Sequence, residues 1–183
     1  MTLEGNKPDA RTPPTLHLRR MAGADEATFL AAVDRSRSLH GQWVAPPATI
    51  AAFQAHVRHY ASSSDESLLA RRDNGGLVGC INISNIVRGG FQSAYLGYYA
   101  FEPHAGQGLM RQALRLAVIL GFTQLGLHRL EANVQPTNHR SARLVRSLGF
   151  RLEGHSPRYL KIAGHWRDHD RYAITAEEWR MAD

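Results

Sequence analysis

Apolar residues recur along this chain with two different periods, and the switches between them mark out the expected elements. The segment 15–20, TLHLRR, alternates apolar and polar residues and predicts a strand. Residues 24–36 place Ala27, Leu30, Ala31 and Val33 at helical spacing, which predicts a first helix. SLHGQWVAPPA reads as a loop, and its prolines admit a second helix from about 48 to 61 with Ile50, Phe53 and Val57 inward. SLLAR (67–71), the Asn74-Gly75-Gly76 turn and LVGCINISNI (77–86) predict a hairpin. GGF (89–91) then turns the chain into a third strand, AYLGYYAF (94–101). Three consecutive antiparallel strands are therefore expected ahead of a glycine turn.

That turn is the most informative stretch. In GYYAFEPHAGQGLMRQALRLAVILGF (97–122) a strand-like aromatic run meets Gly106-x-Gly108 and then a helix over 109–125 with Leu109, Ala113, Leu116, Leu120 and Leu125 spaced for burial. A Gly-x-Gly turn opening a helix leaves several backbone N–H groups unpaired at the positive end of the helix dipole. This makes a pyrophosphate seat that needs few side chains. Downstream, HRLEANV (128–134) predicts a strand, Pro136 and Asn138 introduce a helix over 140–147, and Gly149 stops it. FRLEG, PRYLKI, the Ala163-Gly164 turn and HWRDHDRYAI predict a final hairpin followed by a short AEEW tail. Helix pair, meander, then strand–helix–strand–helix–hairpin is a mixed α+β order.

Composition narrows the classes. At 183 residues, 43% hydrophobic and 21% charged, the chain has the make-up of an ordinary soluble globule with one core. Residues 1–14 lack an apolar centre and read as a flexible leader, leaving 15–183 as a single domain. No apolar run approaches the ~18–20 residues of a membrane span. The lone Cys80 rules out an internal disulfide and suits a reducing, cytoplasmic setting. Twenty-two basic against 16 acidic residues leave a charge of +6, which attracts CoA, nucleotides or RNA alike. The arginines are scattered, so no direct nucleic-acid role is expected. His165 and His169 would stand ~13 Å apart on a strand, and His56 and His59 have no Cys or carboxylate beside them, so no metal site is expected.

The segments LGYYAFEPHAGQGLMRQAL, LHRLEANVQPTNHRSARLVRSLGFRLEG and YLKIAGHWRDHDRYAI, in this order, resemble the GCN5-related N-acetyltransferases (GNAT). SNIVRGGFQSAYLGY (84–98) with the GQGLM turn leans towards their Rim-type branch, the ribosomal-protein alanine acetyltransferases. The resemblance covers about residues 15–180. It implies a central, mostly antiparallel twisted sheet flanked by helices, with acetyl-CoA as the donor. The first position of the family's Gln/Arg-x-x-Gly-x-Gly/Ala turn is here Pro103, which carries no N–H, so the amides of 105–110 must suffice.

By the same resemblance, Tyr99, Ala100 and Phe101 pair their backbone with the pantetheine arm as an added strand would. Ala105, Gly106, Gln107, Gly108, Leu109 and Met110 hold the pyrophosphate. Asn138 hydrogen-bonds the pantetheine or caps its helix, or does both, and Arg143 points along that helix towards the cofactor or into solvent. Many relatives place a tyrosine seven residues after this asparagine to assist the departing thiolate. Val145 stands there, and Ser141 is the residue expected to face the sulfur instead. Glu102, beside the turn, is the candidate base, with Glu131 a weaker second. Trp43, Asn85, Arg88 and Tyr159 line the acceptor groove by analogy, with plain packing the alternative for each. Direct transfer needs no acyl-enzyme, so Cys80 reads as a small buried hydrophobe.

The expected function is transfer of acetyl to a protein N-terminal amine, alanine or serine on a ribosomal protein. An acceptor among small amines, antibiotics or lysines, or a longer acyl donor, stays open. A homodimer is an extrapolation from relatives, without a sign in the chain itself. A dinucleotide oxidoreductase is disfavoured because the third fingerprint glycine is Arg111 and a meander precedes the turn. A non-catalytic ribosome- or RNA-binding module is disfavoured by the scattered charge.

Overall fold

In the computed structural model, which describes residues 16–182, the alternating segments become seven strands of one sheet. Along the chain run β1 (Leu16–Arg20), α1 (Glu26–Arg35), α2 (Arg37–His40), α3 (Ile50–Ala61), β2 (Glu66–Arg72), β3 (Leu77–Val87) and β4 (Ser93–Ala100). There follow α4 (Leu109–Thr123), β5 (Arg129–Val134), α5 (His139–Arg146), β6 (Arg151–Ile162), β7 (His165–Thr175) and α6 (Ala176–Ala182). The leader expected over 1–14 lies outside the described residues.

The sheet order is β1-β2-β3-β4-β5-β7-β6, and only the β4–β5 neighbours run parallel. Those two strands pair over Ser93↔Arg129, Ala94↔Leu130 and Tyr95↔Glu131. Beyond Tyr95, β4 stays with β3 as far as Ala100, and β5 stays with β7 as far as Val134. The sheet therefore opens into a V at its centre. Two inner strand edges lie bare where a sheet is ordinarily closed, and bare edges accept a further extended chain.

The strand alternation sorts the core into two layers. Leu68, Ala70, Val78, Ile81, Leu130 and Val134 turn to the α4 side, meeting Leu109, Ala113, Leu114 and Ala117. Leu69, Leu77, Cys80, Tyr99 and Phe101 turn the other way, onto Phe29, Ala32 and Val33 of α1 and Phe53 of α3. Phe29 anchors that layer, with ring centroids 5.2 Å from Phe53 and 5.6 Å from Phe101.

Several details differ from the expectation. On α1 the buried positions are Phe29, Ala32 and Val33, while Ala27 and Ala31 face solvent. Ile50 is 56% exposed, because it opens α3 before the helix reaches the core. The loop expected from Ser38 begins as the helical turn α2, held by tertiary bonds: Ser36 Oγ accepts from the Glu102 N–H at 3.0 Å, and His40 Nε2 lies 2.9 Å from Ala100 O. FRLEG and PRYLKI fuse into the single strand β6. Pairing with β7 breaks between Ser156 and Leu160, where Pro157 offers no N–H and Arg158 takes φ +49.

Candidate active site

The V is the mouth of a cleft of about 650 Å³. Phe101 donates its N–H to Val78 O at 2.8 Å, so in an extended strand Tyr99 and Phe101 direct their backbone groups at β3. The same alternation turns the amides and carbonyls of Tyr98 and Ala100 towards the opening. One of these is taken, Ala100 O by His40. Of the expected stretch Tyr99–Phe101, then, Ala100 presents its backbone to the cleft, Phe101 is fully buried, and Tyr98 supplies the second strand position.

At one end of the cleft the glycine turn enters α4. Gly106 and Gly108 have φ of +77 and +76, the left-handed region where a side chain is strained, and a Cβ on either would meet nothing within 4 Å. Gly108 is the N-cap of α4 and offers no side chain, so no cap consumes the first amides of the helix. Ala105, Gly106, Gly108 and Met110 line the cleft here. Gln107 is exposed and folds back onto Pro103 O, and Leu109 is buried in the core, so their contribution is limited to backbone. A bare helix N-terminus beside a bare strand edge fits a diphosphate joined to an extended arm.

Gly79 of β3 supports that end from beneath. A Cβ there would fall on Met110 Sδ and lie 2.7 Å from Tyr99 O. Gly79→Ala must displace the first turn of α4 or part β3 from β4. It is expected to cost about 1–3 kcal/mol of stability, as overpacking does, and to weaken CoA binding roughly tenfold. Calorimetric titration with CoA beside a thermal melt checks both.

At the other end Asn138 caps α5, its Oδ1 accepting from the Ser141 N–H at 3.1 Å. Its side-chain amide is left to donate. The cap fixes Ser141 on the first turn, where Ser141 Oγ lies 2.5 Å from Tyr98 Oη. Burial pushes the Tyr98 hydroxyl up to about 12 against the lowering effect of Ser141, so it keeps its proton. Cys80 lies on the opposite side of the sheet; burial raises its thiol to about 11 and leaves it unreactive.

The remaining expected residues divide. Trp43 lines the cleft, and its carbonyl and that of Gln42 accept from Gln135 Nε2 at 3.2 and 3.1 Å, fastening the α2 loop across the exit of β5. Arg143 is exposed on α5 and does not line the cleft; Arg140 and Arg111 do. Glu102 is held by its backbone to Ser36 and does not line the cleft either. Arg88 reaches Leu125 O, Asn85 is exposed, and Tyr159 does not line the cleft, its hydroxyl lying 3.4 Å from that of Tyr95. Glu131 is buried and paired with Arg129 at 2.8 Å. Sequence reasoning missed Tyr98, His40, Gln135 and His169, all of which line the cleft. Among the described residues, the cleft lining includes no carboxylate.

Comparison with known proteins agrees with this fold. The family profile described as "Acetyltransferase (GNAT) domain" matches residues 15–151. The chain belongs to that acetyltransferase (GNAT) family. It is 42% identical over 107 residues to the [ribosomal protein uS5]-alanine N-acetyltransferase of Escherichia coli K12, across 58% of this chain and 55% of that protein. It thus spans about half the length of that curated relative. The spermidine N(1)-acetyltransferase of the same organism is 24% identical over 159 residues, 85% of this chain and 83% of that protein. Among solved structures, Mycobacterium smegmatis RimJ in complex with CoA-disulfide superposes with a TM-score of 0.82 at 28% identity, covering 89% of this chain and 83% of that one. Among the described residues no helix is long and apolar enough to cross a membrane.

Proposed function

We propose that this protein transfers acetyl from acetyl-CoA to the α-amine of a protein N-terminus, an alanine or serine end on a ribosomal protein. The observation that carries the reading is the V itself: a strand edge at Tyr98 and Ala100 with no strand partner, only Ala100 O being engaged (by His40), running from the uncapped start of α4 to Ser141. In this reading the turn amides of 105–110 hold the diphosphate and the strand edge pairs with the pantetheine amides. Asn138 donates to the arm as it caps α5, and Arg111 and Arg140 draw in the anion. The donor supplies an activated acyl carbon. The acceptor nitrogen bonds to that carbon, the C–S bond breaks, and the electron pair leaves on sulfur. Tyr98 donates to Ser141 Oγ, which leaves the serine proton to stabilise the thiolate.

The choice of an α-amine rests on charge. A polyamine carries several ammonium groups and calls for carboxylates along its path, yet among the described residues the cleft lining has none and is apolar at Leu39, Trp43, Leu160 and Ile162. An α-amine with pKa of ~7.7–8.0 is on the order of 10% neutral at pH 7, whereas a lysine at ~10.4 is below about 0.1% neutral. The 42% identity to an alanine N-acetyltransferase supports the same choice. Mass spectrometry of free-N-terminal peptides with internal lysines, incubated with acetyl-CoA and with spermidine as competitor, tests it. The expected product is +42 Da (one acetyl for hydrogen, ~42 Da) on the first residue of alanine- and serine-ended peptides. Label found only on lysine or spermidine would overturn the assignment.

A further inference from the structure

Acetyl transfer to an amine releases a proton from the attacking nitrogen, and among the described residues the cleft lining offers no carboxylate to receive it. The titratable groups that do line it are His40, Tyr98, Tyr99, Arg111, His139, Arg140 and His169. Burial holds both tyrosines protonated, and arginine does not give up its proton. His139 is exposed at the start of α5. His40, like His169, bonds a carbonyl through one ring nitrogen, but that bond holds it on the β4 strand edge at Ala100 O, and its ring packs edge-on against both Tyr99 and Phe101.

His169 differs. It is 3% exposed, and its Nδ1 lies 3.0 Å from Arg167 O. A carbonyl only accepts, so Nδ1 carries the hydrogen and Nε2 is the bare lone pair, with no partner among the described residues. Tyr172 and Ile174 of β7 face the α4 layer, so the alternation turns His169 to the opposite face of the sheet. Tyr98 faces the α4 layer and bonds Ser141 there. The two polar ends of the cleft therefore stand on opposite faces: a hydroxyl pair where the sulfur departs and an imidazole where an acceptor has room to arrive.

We propose that His169 is the general base, with Nε2 taking the proton from the attacking nitrogen, directly or through one water, as the N–C bond forms and the C–S bond breaks. This inference rests on the amine-acetylating reading above. Burial pushes the imidazole below its ordinary value, opposed by the Arg167 carbonyl and by Asp168 and Asp170. Tyr159 from β6 packs beside the ring at 6.1 Å, and His155 of β6 sits on the Asp168 and Asp170 carboxylates at 3.8 and 2.9 Å. His169 is then neutral at pH 7 and is lost as a base only as pH falls through a pKa under about 6.5.

The test is kcat against pH from 5 to 9, using whichever amine the unmodified protein acetylates fastest, peptide or spermidine. His169→Gln is expected to lower kcat about 100-fold and to abolish the acid limb below pH 6.5, with CoA affinity by calorimetry unchanged within about twofold. Added imidazole is expected to restore part of the rate of His169→Ala. A His169→Gln kcat within about threefold of the parent, with the acid limb intact, would overturn the assignment. If the variants do not fold, the parent profile decides: a kcat that stays flat down to pH 5 overturns it. Failure of peptides as acceptors while spermidine works rejects the α-amine reading and leaves His169 testable on spermidine.

Discussion

Asp25→Ala is expected to destabilise the protein by about 3–5 kcal/mol, the cost of breaking a buried charge pair by removing one partner. Asp25 is 2% exposed and ends the turn that enters α1. Its Oδ1 lies 3.0 Å from Arg71 Nη2, and its Oδ2 accepts from Arg19 Nη1 at 2.8 Å and from the Ala22 N–H at 2.9 Å. Arg71 is itself largely buried, so truncation leaves a cation without its counter-charge. Burial alone would raise the Asp25 carboxyl, but Arg19, the Ala22 amide and Arg71 outweigh it and hold it below the ordinary range. A carboxyl lowered by folding stabilises above its unfolded pKa of ~3.9, and that contribution disappears as pH falls through the folded value. At pH 7 the variant should melt roughly 10 °C lower. The gap between parent and Asp25→Asn should begin to narrow below about pH 4 and close once pH has fallen past the lower folded value. A melting point within about 2 °C of the parent at pH 7 would contradict the argument. The cluster joins β1 and β2 to the start of α1, which leads through Ser36 into α2, so the α2 wall of the cleft should loosen with it.

The parts of this architecture written in period and turn residues were legible beforehand. SLLAR and LVGCINISNI are short apolar runs of strand length, buried on both faces, and Asn74-Gly75-Gly76 closes them into a hairpin. Gly106 and Gly108 mark left-handed backbone, and Asn138 marks a cap. The losses came where neighbouring residues are alike. In YLGYYAF nearly every position is apolar, so alternation cannot say which tyrosine faces α5. Tyr98 does, and Tyr99 does not. HWRDHDRY reads as a solvated strand, yet β7 lies between β5 and β6 and buries His169. Glu102 was attractive because it adjoins the turn in sequence, but the chain fastens its backbone to Ser36 instead. The four residues of α2 are too few to form a helix unaided and depend on contacts some 60 residues away.

Ser141→Ala is expected to lower kcat by roughly 30- to 100-fold while changing the Kd for CoA less than threefold. The estimate follows from the ~1.5–3 kcal/mol of a hydrogen bond to a charged acceptor, here the departing thiolate. Two hydroxyls 2.5 Å apart share one hydrogen between them and leave the other to point elsewhere. Burial holds the Tyr98 hydroxyl protonated, so in the productive arrangement Tyr98 donates and Ser141 turns its own hydrogen to the sulfur. Tyr98→Phe removes the donor that fixes this orientation and is expected to cost about tenfold in kcat. The two changes act through one hydrogen bond, so they should not add: Tyr98→Phe in the Ser141→Ala background should leave kcat unchanged. Full additivity would mean that Tyr98 serves only the packing under α5. A Ser141→Ala enzyme with unaltered kcat at pH 7, well below the thiol pKa of ~8.5 where departure needs assistance, would remove the serine from the chemistry altogether.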